Sequence, residues 1–214
     1  MTLRGTEPKR PSDVLKRHEP DFSLEERIAA SGSGIIQIGH VLGAVLAGAA
    51  TAAAKAGGNT GTGTISAVTK LADVKTGIYS VRFTTATAFT VRDPNGDVVD
   101  TGTAGAAFAN DIGFTITAGG TAFVAGDGFD ITVATGSREM KPYDPTATDG
   151  SQIASEISIG YADATSAAAK ILTVARQAVV VRNELVWGVA VTADQKAAAL
   201  LQLEKAGILS AQGA

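Results

Sequence analysis

Apolar residues alternate with polar ones most clearly in the middle of the chain, over residues 79–83 and again over residues 129–133. A period of two predicts β-strands that each bury one face. The turn-forming sequences DPNGDV, TAGG and AGDG separate these segments, and no helical period lies between them. The pattern predicts an all-β, sandwich-like domain over residues 51–136.

The sequence on either side of this segment predicts a mixed body of strands and a helix. Leu24, Glu26 and Ile28 alternate as in a strand, and residues 153–161 alternate in the same way. Residues 171–181 are apolar almost throughout and are typical of one buried strand. The expected fold class is therefore α+β, with a body that is split in the sequence by the all-β domain.

One helix is predicted near the end of the chain. Thr192 and Gln195 have the spacing of a capping box, the sequence ADQKAAALLQLEKA that follows the threonine favours helix, and Gly207 is placed to end it. Three apolar residues are expected to hold this helix against the strands: Leu200, Leu203 and Ile208.

Residues 35–54, IIQIGHVLGAVLAGAATAAA, carry no formal charge when His40 is neutral. The stretch is long enough to span a bilayer. Alanine gains little from lipid, however, and both Gln37 and His40 would lie in the hydrocarbon, where polar groups are costly. Glycines among β-branched residues favour strands and a turn in its first part, and AATAAAKAGGNTGTGT is typical of a hinge. We expect no membrane span.

Composition and charge exclude several kinds of chemistry. A formal net charge of −3 gives no electrostatic basis for direct nucleic-acid binding. The chain has no cysteine and 2 histidines, so thiol chemistry is absent and a metal site of two histidines would need His18 and His40 to meet.

Catalytic motifs are not found either. The sequence DPNGDVVD begins like a calcium loop, but Val98 and Ala104 stand where that loop needs glycine and glutamate. No serine lies in a G-x-S-x-G elbow, and neither histidine has an identifiable nucleophile partner. The sequence predicts a protein that is not an enzyme and needs no cofactor or metal.

Three segments resemble the lambda-type bacteriophage head decoration proteins. They are residues 13–43 (DVLKRHEPDFSLEERIAASGSGIIQIGHVLG), 141–154 (KPYDPTATDGSQIA) and 186–208 (VWGVAVTADQKAAALLQLEKAGI). In that family a Tyr-Asp-Pro type of turn leads through Asp-Gly-Ser into a strand, and a Trp-containing link precedes a Thr-x-x-Gln-Lys helix. The turn follows Val-Leu-Gly closely in the family, whereas Gly43 and Tyr143 are far apart here.

The resemblance implies a domain organisation. An N-terminal arm over residues 1–22 would bind the capsid, residues 23–50 and 137–214 would form the decoration-protein core, and residues 51–136 would be an inserted β-domain. Insertions are tolerated at exposed turns whose two ends already lie close together.

The resemblance also implies a function and partners. It indicates a structural protein that binds the major capsid protein on the outer surface of the expanded head, as homotrimers at three-fold positions, and reinforces the shell against packaged DNA. The protein would lie in the host cytoplasm during assembly and afterwards on the virion. An alternative is a virion adhesin whose β-domain binds glycans on the host surface.

The candidate interface residues fall into two groups. The arm mixes basic and acidic residues with three of the six prolines, so we expect it to be disordered alone and ordered by a partner, with a solvated tail as the alternative. Its candidate capsid contacts are Val14, Leu15, Lys16, Arg17 and Phe22. Candidates for packing in the core or in a trimer interface are Tyr143, Val186, Trp187, Leu200 and Leu203.

Overall fold

The computed structural model describes residues 9–188 and 190–212. The fold is mostly β, with 44% strand and 12% helix. The chain divides into two compact units: unit 1 comprises residues 1–45 and 138–214, and unit 2 comprises residues 46–137.

The elements follow one another in this order: α1 (Pro11–Val14), β1 (Leu15–His18), α2 (Pro20–Ser23), β2 (Leu24–Ala29), β3 (Gly34–Ile36), β4 (Val41–Ala44), β5 (Ala47–Ala54), β6 (Thr64–Ile65), β7 (Thr69–Lys70), β8 (Gly77–Phe83), β9 (Ala88–Arg92), β10 (Val98–Thr103), β11 (Ala107–Ala109), β12 (Ile112–Thr117), β13 (Gly128–Thr135), β14 (Met140–Pro142), β15 (Glu156–Ser158), β16 (Ala162–Ala164), β17 (Ala169–Val174), β18 (Ala178–Val181), a short 3₁₀ helix (Arg182–Glu184), α3 (Ala193–Lys205) and β19 (Ile208–Ala211).

Unit 1 is built around a small closed barrel of five strands in the order β14-β2-β17-β15-β4. A three-stranded sheet, β1-β18-β19, and the pair β16-β3 complete the unit. Strand β4 pairs antiparallel with both β14 and β15, so segments from the two ends of the chain share one barrel. The buried core of this unit includes Val41, Ile157, Val174 and Leu203.

Unit 2 consists of strands β5 to β13. Five of them form a sheet in the order β10-β9-β8-β13-β5, and the others pair around β12. Six phenylalanines fill its core, and their rings contact one another in series: Phe83, Phe89, Phe108, Phe114, Phe123 and Phe129. Ring contacts of this kind add to the free energy gained from burying apolar area.

Several sequence predictions agree with this structure. Strands lie at residues 24–29, 77–83 and 128–135, and the DPNG sequence forms the turn between β9 and β10, where the Asp93 amide donates to Asp97 O. The helix begins after Thr192, whose side chain accepts from the Gln195 amide as the capping box requires.

Other predictions were wrong. The predicted hinge begins with AATAAA, which is the greater part of strand β5, because pairing with β13 outweighs the weak strand preference of alanine. Residues 153–161 are not one strand: β15 is short, and Ile153 and Tyr161 are 45% and 63% exposed. Residues 171–181 form two strands, because Gln177 adopts a positive φ of 43° between them.

Gly43 in β4 provides a test of the packing in unit 1. A Cβ there would lie 2.6 Å from Ser151 O and 2.7 Å from Ile153 O, and both are backbone atoms. We expect Gly43→Ala to lower the free energy of unfolding of unit 1 by about 1–3 kcal/mol, measured by chemical denaturation. The control is Gly188→Ala, whose Cβ would meet its nearest atom at an ordinary 3.6 Å. Equal effects of both changes would contradict the packing described for β4.

Candidate functional site

The N-terminal segment differs from the predicted extended arm. Over residues 9–23 it forms α1, β1 and α2, and β1 pairs antiparallel with β18, with Leu15 opposite Val180. Val14 is fully buried in the core of unit 1, and Leu15 packs against the same cluster. Burial of these two apolar side chains holds the segment against unit 1. Residues 1–8 of the predicted arm lie outside the described residues.

Three of the predicted contact residues remain on the surface of this segment. Lys16 and Arg17 are exposed on β1, and Phe22 is 49% exposed at the end of α2. The guanidinium of Arg176 lies 5.3 Å from the centroid of the Phe22 ring, and its Nη1 donates to Phe22 O at 2.7 Å. We call the exposed residues Lys16, Arg17 and Phe22, together with the half-buried Arg176, the docking patch. It offers the charges of Lys16 and Arg17 and one aromatic ring to a partner, because the guanidinium of Arg176 is already ion-paired with Glu25.

Tyr143 and Trp187 pack against each other in unit 1. Their ring centroids are 6.0 Å apart and the rings meet edge to face. Tyr143 is buried, and this burial, with the nearby charge of Asp144, raises the pKa of its hydroxyl. Trp187 is half-buried and packs against the core cluster. Both residues therefore contribute to the interior of the unit.

Val186 fixes the position of the link that carries Trp187. Its amide donates to Gly39 O at 2.8 Å, and its carbonyl accepts from the Val41 amide at 3.2 Å. Gly39 has a φ of +92°, and a Cβ there would lie 2.6 Å from Glu184 O, so no larger residue fits. The link is thus bound directly to the start of β4.

Helix α3 and strand β19 border a groove of 510 Å³. Leu203 is buried beneath the helix and Leu200 is half-buried, whereas Leu201 is 63% exposed and Leu209 is 49% exposed. Sequence reasoning missed Leu201. Helical periodicity contained the signal, because a helix that turns residues 200 and 203 inward must turn residue 201 outward.

A second depression, of 640 Å³, lies beside the loop after β14. Lys141 Nζ contacts Asp149 Oδ2 at 2.8 Å, and Ser151 Oγ donates to Asp149 Oδ1 at 2.6 Å. Burial alone would raise the pKa of Asp149, but these hydrogen bonds outweigh it and lower the pKa to about 2. The carboxylate is therefore ionised at neutral pH and holds the loop together.

The arrangement contains no recognisable reaction centre in the part of the chain that the structure describes. Within residues 9–188 and 190–212, no three His, Asp or Glu side chains lie together in a way that could hold a metal ion. None of the helices described in these ranges is both long and apolar enough to cross a membrane. The docking patch and the α3–β19 groove are the two surfaces of unit 1 at which exposed apolar side chains lie beside charged ones.

Comparison with known proteins identifies one family. The family described as bacteriophage lambda head decoration protein D matches residues 74–208, which is more than half of the chain. The matched range contains two of the three segments that resemble this family, residues 141–154 and 186–208. No sequence among the curated proteins matches the chain.

Solved structures give only distant likenesses. FlgL from Xanthomonas campestris is 30% identical over 49% of this chain and 33% of its own, with a TM-score of 0.34. The flagellar hook junction protein FlgK from Burkholderia pseudomallei is 21% identical over 61% of this chain and 23% of its own, with a TM-score of 0.34. The chain thus covers a third or less of these proteins.

Trp187 provides a test of the packing in this region. We expect Trp187→Ala to lower the free energy of unfolding by about 2–4 kcal/mol, because it leaves a cavity beside Tyr143. The measurement is chemical denaturation at a protein concentration where oligomerisation is held constant. Tyr161→Ala is the control, since Tyr161 is an aromatic residue of the same unit that is 63% exposed. An effect of Trp187→Ala no larger than that of the control would place Trp187 outside the core.

The lowered pKa of His40 predicts that the stability of the protein depends on pH. Burial, aided by the positive charge of Lys9, lowers its pKa below 6.5, and its Nδ1 accepts a hydrogen bond from the Gln37 amide at 2.9 Å. The folded state therefore favours the neutral ring, and stability is lost as pH falls below the unfolded pKa of 6.5. We expect the free energy of unfolding to fall more steeply across this range in the wild type than in His40→Gln. Parallel pH profiles would rule out a contribution from His40.

Proposed function

Because the chain belongs to the bacteriophage lambda head decoration protein D family, we propose that it binds the outer surface of the expanded head as trimers at three-fold positions. The protein is a structural component of the virion capsid and not an enzyme. Its proposed partners are the major capsid protein and further copies of itself.

The proposed mechanism is mechanical. Each copy that contacts neighbouring capsid subunits adds buried interface, and this interface must be broken before the subunits can separate. A trimer that contacts several subunits at once adds avidity, because one contact holds the others at high effective concentration. Stabilisation then depends on the number of occupied sites and needs no chemical step.

The docking patch supports the capsid contact. Lys16 and Arg17 carry exposed positive charge on β1, and the ring of Phe22 is half-exposed beside the ion-paired guanidinium of Arg176. Exposed positive charge and an exposed ring can together bind an acidic surface that carries an apolar pocket. In this proposal Val14 and Leu15 contribute indirectly, because they hold the segment onto unit 1 instead of contacting the capsid themselves.

The α3–β19 groove supports a contact between copies. Leu201 and Leu209 are apolar and exposed there, and Arg182 and Glu204 supply opposite charges at its border. Exposed apolar patches with a polar rim are typical of interaction surfaces. We place Leu200 at this interface as well, while Tyr143 and Leu203 are buried in the interior of the unit.

We further propose that unit 2 is a domain inserted into the decoration-protein core. Unit 1 is formed by residues from both sides of unit 2 in the sequence. The two ends of unit 2 lie side by side, since the Gly136 amide donates to Leu46 O at 2.8 Å. An insertion with adjacent ends can be accommodated in a surface turn of its host. Glycan binding by aromatic stacking has no support in unit 2, because its six phenylalanines are all buried.

Heads that lack the protein provide the test of this function. We expect the full-length chain to add density at the three-fold positions in cryo-electron microscopy. Lys16→Glu combined with Arg17→Glu should weaken binding by about tenfold, because the docking patch then repels an acidic partner. Deletion of residues 1–20 is a poorer test, because it also removes buried Val14 and the strand β1.

The control carries Lys55→Glu and Arg92→Glu, which make the same change of charge within unit 2. We expect this variant to occupy the heads as the wild type does. Equal binding by the patch variant and the wild type would reject the docking patch. Failure of the wild type itself to bind heads would reject the proposed function.

A further inference from the structure

Strand β5 forms one edge of the five-stranded sheet in unit 2. It pairs with β13 from Ala54, opposite Phe129, to Ala47, opposite Thr135. In an antiparallel ladder, alternate residues direct their peptide groups away from the partner strand. The Lys55 amide donates inward, to Gly128 O. The peptide groups of Ala50, Ala52 and Ala54 therefore point outward, where no strand of the described residues pairs with them.

This edge lacks the features that usually prevent strands from joining edge to edge. Its sequence, AGAATAAA, has no charge, no proline and no side chain larger than that of threonine. The ladder is irregular only between Val133 and Thr135, near the start of β5. There Lys70 Nζ donates to Ala47 O, so one carbonyl near that end is already occupied. Residues 50–54 remain regular and open.

The opposite edge of the same sheet is different. Strand β10 carries the exposed carboxylate of Asp100, and its register shifts between Val98 and Asp100. A charge and a bulge are both common protections against edge pairing. The two edges of one sheet thus differ in their protection, and only β5 offers an unhindered row of donors and acceptors.

We propose that β5 pairs with β5 of a second copy of the chain, antiparallel and across a two-fold axis near Ala52. In that register Ala50 of one copy faces Ala54 of the other, and the outward peptide groups form roughly six hydrogen bonds. Identical strands present donors and acceptors at the same spacing. Because neither strand carries a charge, self-pairing brings no like charges together.

The surroundings of β5 favour a second copy over a foreign peptide. Peptides that add to a sheet edge gain specificity from pockets that receive alternate side chains. On the exposed sheet face, Thr51 lies next to Thr132, and Ala53 lies next to Asp130, which is ion-paired with Arg82. The side chains of β5 itself are small and uncharged, which lets a second strand of the same sequence approach closely along its whole length. If copies coat the head as proposed, the pairing joins neighbouring trimers.

The pairing can be tested in solution with the full-length chain, without heads. Thr51→Lys with Ala53→Lys places like charges opposite each other across the proposed two-fold axis. We expect these changes to weaken the concentration-dependent association beyond the trimer by about tenfold in sedimentation velocity. The control, Thr132→Lys with Ala134→Lys, adds the same charge to the same face one strand further from the edge, and we expect it to associate as the wild type does.

Hydrogen exchange supplies a second measurement. The amides of residues 50, 52 and 54 should become protected as the protein concentration rises in the wild type, and much less so in Ala52→Pro. That substitution removes an outward amide while the ladder to β13 keeps its bonds. Thermal unfolding of each variant checks that unit 2 remains folded.

Three results would overturn the inference. The first is free exchange of the amides of residues 50, 52 and 54 at every protein concentration, and the second is equal association of the edge and control variants. The third is protection that appears only after heads are added and survives the lysine changes, since a capsid segment would then be the partner. The measurements in solution are made without phage heads. Their result therefore tests strand pairing even if the protein proves not to bind the capsid.

Discussion

The structure of unit 1 depends on the pairing of strands that are far apart in the sequence. Strand β4 precedes unit 2 and pairs with β14 and β15, which both follow it. Closing such a long loop costs conformational entropy, although the cost grows only slowly with length. Unit 2 has its own core, and its Leu46 and Gly136 are already hydrogen-bonded. Folding of unit 2 would therefore bring together the two chain segments from which the barrel closes.

A buried carboxylate strengthens the same closure. Glu156 lies on β15 and is 6% exposed, yet its two oxygens are both bonded. Arg27 of β2 donates to Oε1 at 2.9 Å, and Thr173 of β17 donates to Oε2 at 2.6 Å. A buried charge without partners is costly, so these bonds favour one register for three barrel strands. An alternative register would leave the carboxylate unsatisfied.

The elements that could be predicted from the sequence are those that are determined by neighbouring residues in the chain. The capping box at Thr192 and Gln195 gave the start of α3, and alternation gave β8 and β13, because a period of two reflects the burial of one sheet face. Strand β5 escaped prediction because its alanines and glycine carry no such signal, and its structure comes from β13. The fold of the N-terminal segment was not predicted for a similar reason, since Val14 is buried by residues far along the chain, among them Val180 of β18.

The candidate site shows the same difference between what local sequence predicts and what tertiary packing decides. Sequence resemblance could name Phe22 and Leu200, but exposure decides which side chains a partner can reach, and exposure depends on tertiary packing. The docking patch and the α3–β19 groove are connected through one sheet, in which β1 pairs with β18 and β18 pairs with β19. A capsid that pulls on the patch along the strands would load many ladder hydrogen bonds at once. In the proposed function these bonds would share the load, so the sheet would carry tension from the proposed capsid contact to the proposed contact between copies and in this way reinforce the head.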